Sequence, residues 1–230
     1  MPYRPGRHFL QIPGPTNVPD RVLRAMARPT IDHRGPEFQA LGRELLDGIR
    51  DIFRTERPVI IYPASGSGAW EAALVNTLSP GDRVLMVETG HFATLWKQIA
   101  VKLGLEVDLI PGDWRHGVDP RAVEASLVED REHVIKAVCV VHNETSTGIT
   151  NDIEGIAKVV KGEFDKLILV DAISSMGSIK LLTDAWDLDV VASASQKGWA
   201  CPPGVAMISF SKRAWEASEK ADMPRFYFDL

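Results

Sequence analysis

No stretch of the 230 residues approaches 18 uninterrupted apolar residues, so a membrane-spanning helix of ordinary length is excluded and no membrane partner is expected. The opening residues, MPYRPGRHFL, hold no apolar core of a secretion signal. Cysteine is scarce: Cys139 falls inside an apolar strand pattern and Cys201 in a Pro-rich loop. Two thiols so placed are no disulfide framework and fit a reduced, cytoplasmic setting. There is no basic run and no aromatic-interleaved patch, and the formal charge is −5, so nucleic acid is not an expected partner. Six histidines (His8, His33, His91, His116, His133 and His142) are scattered without metal-ligand spacing, and no metal is expected. Internal repeats and low-complexity segments are missing as well.

What is present is the balance of a globular protein, 45% hydrophobic and 25% charged, long enough to bury a core as one large domain or two small ones. Residues 1–18 are rich in Pro and Gly, and the prolines at 13, 15 and 19 forbid regular helix, which predicts an extended arm. Pro19 can open a short helix through Arg28, and Pro36 a longer one through Phe53. In the second, Leu41, Leu45, Ile49 and Ile52 recur at amphipathic spacing. From residue 58 the pattern alternates. Strands are predicted at 58–62, 83–87, 105–110, 136–141, 166–170, 187–193 (its apolar core 189–193) and 205–210. Helices are predicted at 69–78, 92–103, 119–128, 152–162 and 212–221. Such alternation argues for an α/β fold, a mostly parallel sheet of seven strands with helices on both faces. Ligands bind beyond the carboxyl ends of such strands, which is where the next features fall.

Lys197 follows one predicted strand and Asp171 closes another. Glycines and prolines around Lys197 (Gly198, Pro202, Pro203, Gly204) leave an irregular backbone there. A lysine in a partly apolar pocket has a lowered pKa and becomes nucleophilic, and a carboxylate can hold a pyridine nitrogen protonated. The pair suits pyridoxal phosphate (PLP). Read singly, Lys197 can be a solvated lysine and Asp171 the cap of a turn. Ser65-Gly66-Ser67-Gly68 lies between a strand and a helix and can cradle a phosphate, or be a turn with a serine N-cap. It is not a Walker loop, and Glu71 stands where a dinucleotide fingerprint would need its third glycine. Phe92, past another strand, can stack on a cofactor ring or simply fill core. His142-Asn143-Glu144-Thr145-Ser146-Thr147-Gly148 places polar groups at the same sheet edge, or is a turn before a helix capped near Asn151-Asp152.

The ordered stretches PGPTNVP (13–19), SGSGAWEAALVNTLSPGD (65–82), HNETSTG (142–148), VDAIS (170–174) and SQKGWACPPG (195–204) resemble a class V, fold-type I PLP-dependent aminotransferase. The nearest resemblance is to the serine–glyoxylate and alanine–glyoxylate group, and it runs from residue 5 to the end. It implies Lys197 as the Schiff-base lysine and mover of the substrate's Cα proton, and Asp171 as partner of the pyridine nitrogen. Ser65, Gly66, Ser67 and Gln196 would bind the phosphate, Phe92 would stack on the ring, and Thr145 would bond its phenolic oxygen. Pro13 and Gly14 would line the substrate pocket. It further implies a homodimer, an amino acid donor (serine or alanine), and glyoxylate as acceptor.

Residues 19–230 then read as the PLP-binding large domain. Family chains are longer, and the C-terminal small domain that carries a carboxylate-gripping arginine is expected to be absent here. Impaired activity, or a non-catalytic PLP-binding fragment, is therefore an expectation. Ureidoglycine–glyoxylate aminotransfer is the rival within the family. Cysteine desulfuration is a further rival; it needs a mobile cysteine, which neither Cys139 nor Cys201 resembles.

Overall fold

A computed structural model of the chain describes residues 9–230; the first eight residues of the expected arm, His8 among them, lie outside these. In chain order the elements are α1 (Asp20–Met26), α2 (Pro36–Phe53), β1 (Val59–Tyr62), α3 (Gly66–Thr77), β2 (Arg83–Val87), α4 (His91–Lys102) and β3 (Glu106–Ile110). They continue as α5 (Pro120–Glu129), β4 (Ile135–Val141), α6 (Ile153–Gly162), β5 (Leu167–Asp171), β6 (Val190–Ala194), β7 (Ala206–Phe210) and α7 (Lys212–Ser218). The strands form one seven-stranded sheet in the order β1-β7-β6-β5-β4-β2-β3. β7 runs antiparallel to both its neighbours, and every other pairing is parallel. The carboxyl ends of the other six strands therefore open on one edge.

The inner strands are near-continuous apolar runs because helices cover both faces. Val84, Met86, Ala137, Cys139 and Leu169 pack on one side with residues of α3, α4 and α7. Their neighbours Leu85, Val87, Val138, Val140 and Ile168 pack on the other with α2, α5 and α6. Helix α3 is buried along most of its surface (Ala69, Trp70, Ala72, Ala73, Leu74 and Val75), with Ser67 and Glu71 on its exposed side, as its position between the sheet, α4 and α7 requires. Helix α2 is the opposite case. It buries only Ile49 and Phe53 and leaves Phe38, Leu41, Leu45, Leu46 and Ile52 exposed.

The largest boundary differences from expectation, three residues each, have physical reasons. Helix α3 begins at Gly66 rather than 69, so the Ser/Gly segment is the helix's own first turn. Strand β6 begins at Val190, not 187. Asp187 is left-handed at φ 50°, and the buried Asp189 carboxylate is occupied with the Ile168 amide (3.0 Å), the Ser211 hydroxyl (2.7 Å) and Lys161 Nζ (3.0 Å). Helix α7 stops at Ser218, where the Arg225 guanidinium takes up the carbonyls of Ser218 and Ala221, both at 2.9 Å.

Candidate active site

Loops from the carboxyl ends of β1, β2, β4, β5 and β6 converge on one cavity of about 250 Å³. It brings together Lys197, Asp171, Ser65, Gly66, Ser67, Phe92, Thr145, Gln196 and Gly14. Pro13, expected beside Gly14, is exposed and does not line it. The chain crosses Lys197 at Gly14, where a Cβ would lie 2.7–2.8 Å from the lysine's Cδ, Cε and Nζ, so only a residue without a side chain lies against it. Thr16 ties this crossing down. Its amide donates to the Gln196 carbonyl (2.9 Å) and its hydroxyl to the Lys197 carbonyl (3.2 Å).

Asp171 ends β5 and is buried. One carboxylate oxygen accepts the Ile173 amide at 2.7 Å, so the turn-capping role is real and occupies one oxygen. Burial pushes the carboxyl up to about 7. The Ile173 and Trp70 N–H groups and the Lys197 charge oppose that, while the nearby Glu144 charge adds to it. Lys197 is half-buried, and loss of hydration pulls its ammonium below the ordinary lysine range against the opposing pull of Asp171. Its Nζ lies 5.8 Å from the centroid of the half-buried Phe92 ring.

At the head of α3, Ser65 occupies the N-cap position, but its side chain makes no capping bond. The helix's own bonding starts at Ala69, whose amide donates to the Ser65 carbonyl (3.0 Å), so the first-turn amides of 66–68 precede it. An uncapped helix start with two serines and two glycines is a site for an anion. Gly66 is required by packing, since a Cβ there would lie 2.6 Å from Ile173 Cδ1. The Gln196 amide oxygen is buried without a hydrogen-bond partner, and the Trp70 indole N–H, which faces Asp171, makes no bond of ordinary geometry. Unsatisfied buried polar atoms around a cavity are what a bound polar group would complete.

Thr145 bonds the Ser174 hydroxyl. Both readings of its loop hold, because Gly148 is left-handed (φ 79°) and Asp152 caps α6 by accepting from Gly155 (2.9 Å). Pro15, beside Gly14, lines the cavity too; Trp70, Ile173, Ser174, Asn143 and Pro203 also line it without having been given a role. Of these, Asn143 and Ile173 stand within two positions of a residue that was, Trp70 lies one helical turn from Ser67, and Ser174 and Pro203 lie further along the chain from Asp171 and Lys197. His142 is buried against Ser175 (2.8 Å), and loss of hydration pushes its ring down to about 4. Cys139 is buried in β4 with its thiol pushed up, and neither cysteine lines the cavity.

Among the described residues no three His, Cys, Asp or Glu side chains gather in a metal-holding group, and no helix is long and apolar enough to cross a membrane. The residues present fit PLP. There is an uncapped helix start for the phosphate, a buried carboxylate oxygen left over from its turn, an apolar wall, and a lysine of lowered pKa.

The chain is 40% identical over 229 residues to the serine–glyoxylate aminotransferase of Arabidopsis thaliana, covering 99% of itself and 57% of that protein. It is 42% identical to the enzyme of the same name from Methylorubrum extorquens, covering 98% of itself and 58% of the relative. The chain thus spans little more than half the length of the curated relatives it matches. Its fold overlays an alanine–glyoxylate aminotransferase from Nostoc with a TM-score of 0.91 at 32% identity, over 100% of this chain and 60% of the other. The family model described as aminotransferase class-V matches residues 8–224, and the chain belongs to that family of PLP-dependent transferases.

Proposed function

We propose that this chain carries the PLP-binding centre of an amino-group transfer from serine or alanine to glyoxylate. The observation that carries the proposal is one cavity lined by a lysine of lowered pKa, a buried carboxylate and an uncapped helix start. The names of the two serine–glyoxylate relatives support the choice of donor and acceptor.

PLP, when bound, supplies an aldehyde carbon for Schiff-base formation and a ring that accepts negative charge from the donor's Cα. The first turn of α3, with Ser65, Ser67 and Gln196, would hold its phosphate. Asp171 would keep the pyridine nitrogen protonated through its second oxygen. Phe92 and Thr145 would orient the ring by its face and its phenolic oxygen. Lys197, partly dehydrated, has a larger neutral fraction than a solvated lysine, which makes Nζ a nucleophile and a base for the proton on the donor's Cα. Trp70, Phe92, Ile173 and the Gly14–Pro15 crossing would limit water's access to that proton's path.

Among the described residues no arginine lines the cavity, and none of them forms a bidentate grip on the donor's carboxylate. We therefore expect residues 1–230 alone to bind PLP and to transfer amino groups poorly. The exposed apolar stripe of α2 supports a homodimer as the assembled form.

The test is an absorbance spectrum with added PLP, before and after borohydride, in wild type and Lys197→Ala. A reducible band lost in the variant is the expected result, and no band in the wild type sinks the reading. Substrate profiling then separates serine and alanine from ureidoglycine as donor.

A further inference from the structure

Glu144 is fully buried in the loop after β4, next to Thr145. Its carboxylate serves a different element. It accepts the backbone N–H groups of Phe92 (3.3 Å) and Ala93 (3.0 Å) in the first turn of α4, and the amide and hydroxyl of Ser146 (3.0 and 2.7 Å). Helix α4 has no cap of its own, because Gly90 stands at its N-cap. A Cβ on Gly90 would lie 2.5 Å from Glu144 Cγ and 2.6 Å from Ser146 Oγ, so glycine leaves the room that the carboxylate fills.

Two further bonds join the same loops. The His91 amide donates to the Ser146 hydroxyl (2.9 Å), and the Thr147 hydroxyl donates to the Thr89 carbonyl (3.1 Å). An anionic acceptor at a helix N-terminus, shielded from water, makes strong charge-assisted bonds aligned with the helix dipole. Phe92 and Thr145 follow different strands, β2 and β4, yet both line the cavity. Glu144 adjoins one in sequence and bonds the amide of the other.

We propose that Glu144 is a positioning residue of this site, which locks the turn before α4 onto the loop after β4 and so sets the separation of Phe92 and Thr145 across the cavity. The proposal rests on the reading of the cavity as a PLP site. Glu144 does not line the cavity and acts through the two residues that do.

The deciding variant is Glu144→Gln, which keeps the size but removes the charge and turns one acceptor into a donor. Without PLP, amide hydrogen exchange at Phe92 and Ala93 should quicken by at least about tenfold. With PLP, the visible circular dichroism of the bound cofactor should change, and its affinity should weaken roughly tenfold or more. Ile156→Val, in the core of the opposite face, is the stability control and should leave all three readouts alone. A Glu144→Gln chain that only melts earlier, as the control does, would overturn the proposal. So would faster exchange with an unchanged dichroism signal, because the lock would then not reach the ring. No reducible band in the wild type would overturn the PLP reading and this proposal with it, while the exchange at Phe92 and Ala93 would still report separately on the lock.

Discussion

A carboxyl buried at the end of β5 resists ionisation, and a protonated ring nitrogen would relieve that resistance. Unfolded, Asp171 ionises near its ordinary 3.8; folded, it keeps its proton up to about 7. Between those values the folded state holds a proton that the unfolded state has lost. Folding stability from this group is full below the lower value and falls as pH rises toward the upper one. PLP should therefore raise Tm more at pH 8 than at pH 5, and Asp171→Asn should remove most of that difference. Thermal melts with and without PLP at the two pH values check this. Gly14 gives a second prediction at the same scale. A methyl group there meets the Lys197 side chain at 2.7–2.8 Å and pushes its amine off position. Gly14→Ala should slow Schiff-base formation on the order of tenfold to a hundredfold, followed by stopped-flow absorbance, while Tm stays nearly unchanged.

At the scale of elements, α2 carries the clearest consequence. Its exposed Leu41 and Leu45 stand one helical turn apart, a spacing that makes one stripe. Leu41→Glu with Leu45→Glu should convert a dimer to monomer in light scattering without loss of helix signal. An unchanged mass would place the interface elsewhere.

The elements were legible because their apolar periods are long and bounded by Gly and Pro: α2 runs Pro36–Phe53 and β2 runs Arg83–Val87, as expected from pattern alone. The start of α3 was not, since Gly and Ser read as loop until packing against Ile173 makes glycine necessary. The span from Asp187 to Asp189 looked like strand because Leu188 is apolar, and only the partners of Asp189 explain why it is a turn. At the cavity, Lys197 and Asp171 stood out because one follows a buried strand and the other ends one. Glu144 lies inside a quoted motif, but its partners on α4 are more than fifty positions away, and no local spacing reveals such a bond.

On the scale of the whole molecule, the cavity draws its lining from residue 14 to residue 203, so no short contiguous piece contains it. In refolding with PLP present, the cofactor band should rise no earlier than the far-ultraviolet signal of the sheet. A band that leads that signal would mean the site assembles from a partial fold.

The strand order has one more consequence. Among the described residues, the first strand, β1, has no sheet neighbour except the last, β7. A ribosome delivers them about 150 residues apart, many seconds at ordinary synthesis rates. Throughout that interval Val59–Tyr62 is an unpaired apolar edge on the nascent chain, while the central strands can already zip together. The period of greatest exposure to chaperones and to misassociation is thus set by topology, and it closes only when Ala206–Phe210 leaves the exit tunnel.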